Sequence, residues 1–76
     1  MEGLATWFHK NGKKSSQVVY VRGHEEGLGK TWDENGNLIQ EVEYHQGMPH
    51  GNAVLYENGK VVKRLHYSYG KVDKEY

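Results

Sequence analysis

Cysteine is absent from this 76-residue chain, and that absence removes disulfides, thiolate chemistry and every zinc site built on cysteine. Proline occurs once and phenylalanine once, against ten glycines and six tyrosines. No apolar run approaches the roughly 20 residues of a membrane-spanning helix. The first twenty residues lack the apolar stretch of a secretory leader, so a cytoplasmic location is the expectation. Charge of one sign is missing too. Ten Lys and Arg balance ten Asp and Glu, which leaves no electrostatic case for nucleic acid as a partner.

Glycine is abundant, and its placement excludes a helical fold. No window longer than ten residues avoids a glycine, and each glycine inside a helix would cost about 1 kcal/mol. Two tryptophans and six tyrosines among so many glycines suit short strands joined by tight turns.

The glycines also recur in register. Gly12, Gly36 and Gly59 each follow an asparagine, and Gly23, Gly47 and Gly70 stand eleven residues after them. Eight residues after each Asn-Gly glycine comes a tyrosine, namely Tyr20, Tyr44 and Tyr67, preceded two residues earlier by Val18, Val42 and Leu65. A fixed period of this length marks a repeat protein. One domain of three units follows, running over about 3–26, 27–50 and 51–76, either complete or cut from a longer array.

Alternation within each unit has period two. Leu38, Gln40, Val42 and Tyr44 point one way, and Ile39, Glu41, Glu43 and His45 the other. Val61, Lys63, Leu65 and Tyr67 repeat the first face. Such alternation is the pattern of half-buried antiparallel strands, and Asn-Gly between two of them signals a type I′ hairpin turn with both central residues at positive φ. Strands are expected near 4–9, 17–22, 28–33, 38–45, 52–56, 61–68 and 71–75. The fold class is all-β, a single-layer antiparallel meander of repeated hairpins.

Trp32-Asp33-Glu34-Asn35-Gly36, followed by Tyr44-His45-Gln46-Gly47-Met48-Pro49-His50-Gly51, resembles the MORN repeat in its bacterial variant form. Tyr56-Glu57-Asn58-Gly59 through Tyr67-Ser68-Tyr69-Gly70 matches nearly as well. Unit one departs, with Trp7-Phe8-His9-Lys10-Asn11-Gly12 longer and Glu26 standing where His50 does. The resemblance spans essentially the whole chain. It implies a sheet of repeated hairpins with an aromatic strip, serving as an interaction module: scaffold, dimerisation element or acidic-phospholipid binder. Many bacterial variants carry an antitoxin label, so a small inhibitor that occludes a specific target is the alternative. Where the family has its His-Gly turn, His50 is expected to make a structural hydrogen bond.

One aromatic per unit precedes the Asn-Gly turn (Trp7, Trp32, Tyr56) and one follows it (Tyr20, Tyr44, Tyr67). These six are the candidate partner-binding residues, because rigid aromatics dominate interface hot spots. Their structural role is to stack as glue between units, where offset pairs add about 0.5–1.5 kcal/mol each. A single-layer sheet has two faces and cannot bury both alone, so marginal stability is expected, with cover from a second protein. That protein would present a helix or peptide. Self-association through the open edge strands is the other route.

The remaining signals are weaker. His45 and His66 share a parity, but no third ligand recurs with them, and zinc needs three or four convergent ligands. No metal or other cofactor is expected. Gly27-Leu28-Gly29-Lys30-Thr31 ends like a phosphate loop yet lacks its first glycine and its helix. Lys13-Lys14 and Lys63-Arg64 could meet lipid head groups, though glutamates are interspersed with them. No triad or carboxylate pair recurs, and an open sheet offers little pocket. The expectation is a non-catalytic module that docks an apolar segment on an aromatic face.

Overall fold

A computed structural model describes residues 2–76. Seven strands follow one another in chain order: β1 Gly3–Phe8, β2 Lys14–Val21, β3 His24–Trp32, β4 Leu38–His45, β5 Met48–Glu57, β6 Lys60–Ser68 and β7 Lys71–Glu75. They form one sheet in the order β1-β2-β3-β4-β5-β6-β7, each pair antiparallel. The molecule measures 35 × 33 × 12 Å. A second layer would add about 10 Å to the short dimension, so the slab is one sheet thick. This is the hairpin meander that the repeat implies.

Two turn types join its strands. Arg22-Gly23, Gln46-Gly47, Asn58-Gly59 and Tyr69-Gly70 join their strands with both residues at positive φ. That geometry matches the right-handed twist of the flanking strands. The other two hairpins differ from the expectation. Asn11-Gly12 and Asn35-Gly36 sit in five-residue loops, where only the glycine has positive φ. Asp33 explains the second. Its Oδ1 accepts the backbone N–H groups of Asn35 and Asn37 at 2.9 Å, and its N–H donates to the Asn37 carbonyl. A side chain that organises the loop itself makes the two-residue turn unnecessary.

Strands β2, β3 and β5 start three to four residues before the expected points. Gly27 and Gly51 look like breaks, but β3 and β5 run through them as bulges. Between the pairs Val42↔Ala53 and Tyr44↔Pro49, three residues of β5 stand opposite Glu43 alone. Gly27, Leu28 and Gly29 stand likewise opposite Val18. Such bulges need positive φ at one residue, which Gly27 and Gly51 supply at 81° and 116°.

Among the described residues only Ala5, Val18, Val42 and Ala53 are buried, at 3–7% exposure. They form one row across the sheet, Ala5↔Val18 and Val42↔Ala53, with Gly29 paired to Val42 between them. Small residues fall on odd strands and valines on even ones. The core is a line rather than a volume, closed over by the larger side chains on either side of it.

Candidate functional site

Each tyrosine of the repeat faces a glycine on the preceding strand: Gly3↔Tyr20, Gly27↔Tyr44 and Gly51↔Tyr67. A missing side chain opposite a ring leaves the ring free to lie across the partner strand. Tyr44 does so over Gly29, where an added Cβ would lie 2.8 Å from the ring's Cε2. Tyr20 instead meets Trp7 edge-on, with centroids 6.3 Å apart and planes at 61°. Between these rings, above Val18, Gly29 and Val42, lies a hollow of about 210 Å³. Glu25, Ser16, Thr31 and Gln40 complete its rim.

Burial, and after it the Glu25 carboxylate and the Tyr67 and Tyr20 hydroxyls, holds the Tyr44 phenol above the usual tyrosine range. The proton is therefore kept more tightly in the folded chain than in the unfolded one. Stability from this source is full below pH about 10 and is lost as pH rises through the folded value. Spectrophotometric titration should show Tyr44 and Tyr56 ionising after the other tyrosines, Tyr56 because its hydroxyl donates to the Glu41 carboxylate, and Glu25→Gln should bring Tyr44 alone part of the way back. An unchanged curve for Glu25→Gln would mean that the carboxylate does not reach the phenol.

The six candidate aromatics do not come together. Trp7, Tyr20, Tyr44 and Tyr67 share the face of the buried row. Trp32 lies on the reverse face with Phe8 and Lys14, whose Nζ sits 5.8 Å over the indole. Tyr56 is there too, its hydroxyl donating to Glu41, which also lies 4.0 Å from Lys30 Nζ. Register gives the reason. Phe8↔Lys14, Trp32↔Leu38 and Tyr56↔Val61 are equivalent pairs, whereas Trp7↔Ser16 corresponds to Thr31↔Gln40 and Leu55↔Lys63. Phe8, rather than Trp7, is the counterpart of Trp32. The spacing carried the signal: Trp7 to Trp32 is 25 positions (32 − 7), an odd number, whereas Phe8 to Trp32 is 24 (32 − 8). Facing alternates with period two, so the odd step changes sides.

The MORN repeat variant family model matches residues 1–22, 25–46 and 50–69. The chain belongs to the MORN repeat variant family. The three matched segments are the three units, each centred on one glycine-tyrosine hairpin. Searches of curated proteins and of solved structures gave no significant match. MORN repeats are a non-enzymatic family whose members generally act in protein or membrane interaction.

Polar groups of this MORN sheet are engaged mostly on the reverse face. His45 lies 3.2 Å from Glu26, His66 2.7 Å from Asp73, and His50 Nδ1 accepts the Tyr69 N–H at 3.1 Å. His45 and His66 thus bind different carboxylates and share no ligand. The His50 bond fastens the β6–β7 turn, the structural role its position implies. Lys30 of Gly-Lys-Thr lies inside β3, with no helix after it. Lys63 is paired with Glu75 at 3.3 Å and belongs to β6, whereas Lys13 bonds the Asn35 carbonyl beside β1, so the two basic pairs make no common patch. Glu25 is the site residue that sequence reasoning passed over, because it looks like one of several interspersed surface acids.

Proposed function

We propose that the chain is a non-catalytic protein–protein interaction module that docks an apolar segment of its partner on the face bearing Trp7, Tyr20, Tyr44 and Tyr67. The observation that carries this reading is the hollow between the first two units. Its floor is the buried row, its walls are rings, and Trp7 is still 45% exposed. Aromatic walls around an apolar floor are what an interface anchor needs. Docking there would also cover the thin core from above and so support the fold.

Edge addition is the second reading, favoured by a contrast between the outer strands. β1 carries no charge and leaves Leu4 and Phe8 more than 60% exposed, whereas β7 carries Lys71, Asp73, Lys74 and Glu75. Charges blunt an edge, and an uncharged edge invites a strand. A single-chain mass by light scattering at about millimolar concentration would remove self-association by this route.

Peptides selected from a random display library against the intact chain test the docking face. Their affinity should fall about tenfold or more with Trp7→Ala, as a truncated hot spot requires, and stay unchanged with Trp32→Ala. The reverse ranking, with both variants folded by circular dichroism, would overturn the assignment.

A further inference from the structure

Trp7 and Glu25, two residues at which the units differ, line the same hollow. Trp7 occupies the register position of Thr31 and Leu55. Glu25, opposite Tyr20, occupies that of Pro49 opposite Tyr44 and Val72 opposite Tyr67. The hairpins around the other two positions fold with small, aliphatic or imino residues, so the architecture requires neither an indole nor a carboxylate there. Both lie within reach of one ligand.

The chemistry they create is specific. Three aromatic rings, whose faces carry the negative part of the quadrupole, border a space that also holds one formal negative charge. The Glu25 carboxylate makes no ion pair and no side-chain hydrogen bond among the described residues, although it is only partly exposed. Lys30 borders the hollow but directs its Nζ to Glu41 on the reverse face. The site thus offers a negative charge without a resident cation. Ser16, Thr31 and Gln40 on the rim add side-chain oxygens that make no hydrogen bond among the described residues. A guanidinium has five N–H donors in a planar fork and stacks on aromatic faces, so it uses such a set more fully than an ammonium does.

We propose that this hollow receives an arginine side chain of the docked segment. The guanidinium packs among Trp7, Tyr20 and Tyr44 and pairs with Glu25, and its aliphatic stem lies over Val18, Gly29 and Val42. The proposal rests on the tyrosine face being the docking face. It adds to that reading a residue of the partner and the two residues of this chain that select it.

The test uses the blocked tripeptides Leu-Arg-Leu and Leu-citrulline-Leu, which differ in charge but hardly in shape. Trp7 fluorescence in the Trp32→Phe chain reports binding, because Trp32 lies on the other face. Leu-Arg-Leu should saturate the signal in the millimolar range, and the citrulline peptide should bind about tenfold more weakly, the usual loss when a charge-assisted hydrogen bond is removed. Glu25→Gln should weaken the arginine peptide by about the same factor and abolish the difference between the two. Equal binding of the two peptides to the unaltered hollow would overturn the arginine assignment while leaving the docking face standing. A response of Trp32 in the Trp7→Phe chain, with none from Trp7, would overturn both. Phosphatidylcholine vesicles that bind with the same Glu25 dependence would place the cation on a lipid and overturn the peptide as its source.

Discussion

Replacing Gly29 by alanine is expected to destabilise the chain by about 1–3 kcal/mol, the usual cost of forcing extra volume into a packed site. The other units argue the opposite. Ala5 and Ala53 occupy the equivalent positions, both buried, and substitution toward the majority residue of a repeat commonly stabilises. Backbone conformation does not forbid alanine either, since Gly29 is absent from the glycines with positive φ. The obstacle is the Tyr44 ring, with Cε2 at 2.8 Å and Cδ2 at 3.2 Å from the added Cβ, and Val18 Cγ2 behind it at 3.5 Å. Tyr20 spares Ala5 the same clash by turning edge-on to Trp7. A chain of this size has only about 4–11 kcal/mol of stability in total, at 0.05–0.15 kcal/mol per residue, so the urea midpoint should fall visibly. In a Tyr44→Leu background the added cost should shrink to within about 0.5 kcal/mol, because the two sites are coupled only through the ring. A raised midpoint for Gly29→Ala would show that Tyr44 does not lie where the sheet places it.

Gly51→Ala is expected to cost a similar amount, about 1–3 kcal/mol, for a different reason. At φ 116° Gly51 lies beyond the left-handed helical region that other residues occasionally visit. Glu43 also occupies the space where the new methyl group would stand. The Glu43 carboxylate is the end of a flexible side chain and moves aside, and its Cβ at 3.2 Å needs only a small shift, whereas the strain at positive φ is intrinsic to an L residue. Glu43→Ala should therefore leave most of the penalty in place, unlike Tyr44→Leu at Gly29. Urea titration of the four chains in the cycle separates the two mechanisms. A penalty that vanishes with Glu43→Ala would mean that the β5 bulge tolerates a side chain.

These two glycines also show what was legible in the chain beforehand. The repeat, the seven strands, the meander order and the inward tyrosines follow from glycine spacing and period-two alternation, because register in a half-buried sheet is tied to both. β4 and β7 fall where the pattern puts them. The starts of β3 and β5 do not, since Gly27 and Gly51 read equally as turn or bulge and only strand pairing decides between them. Arg22, Gln46 and Tyr69 at positive φ gave no signal, being residue types that rarely adopt it; the glycine after each was the visible half of the turn. Tyr44 lies on the face of Val42 and Tyr67 on that of Leu65, as the alternation predicts, and Tyr20 lies with them. Trp32 and Tyr56 belong to the reverse face, a division hidden by matching Trp7 to Trp32 by residue type instead of by the 24-residue step. Glu25 gives no signal in the sequence for a physical reason: a lone acid acquires meaning only when the fold sets it beside three rings with no cation paired to it among the described residues.

Trp7 and Trp32, the two tryptophans of the chain, lie on opposite faces and report on them separately. The most direct test of the account is the two indole N–H resonances in a ¹H–¹⁵N spectrum during titration with a display-selected peptide. The Trp7 signal is expected to move to saturation while the Trp32 signal stays in place. Movement of Trp32 with Trp7 unmoved would place docking on the reverse face and contradict the account.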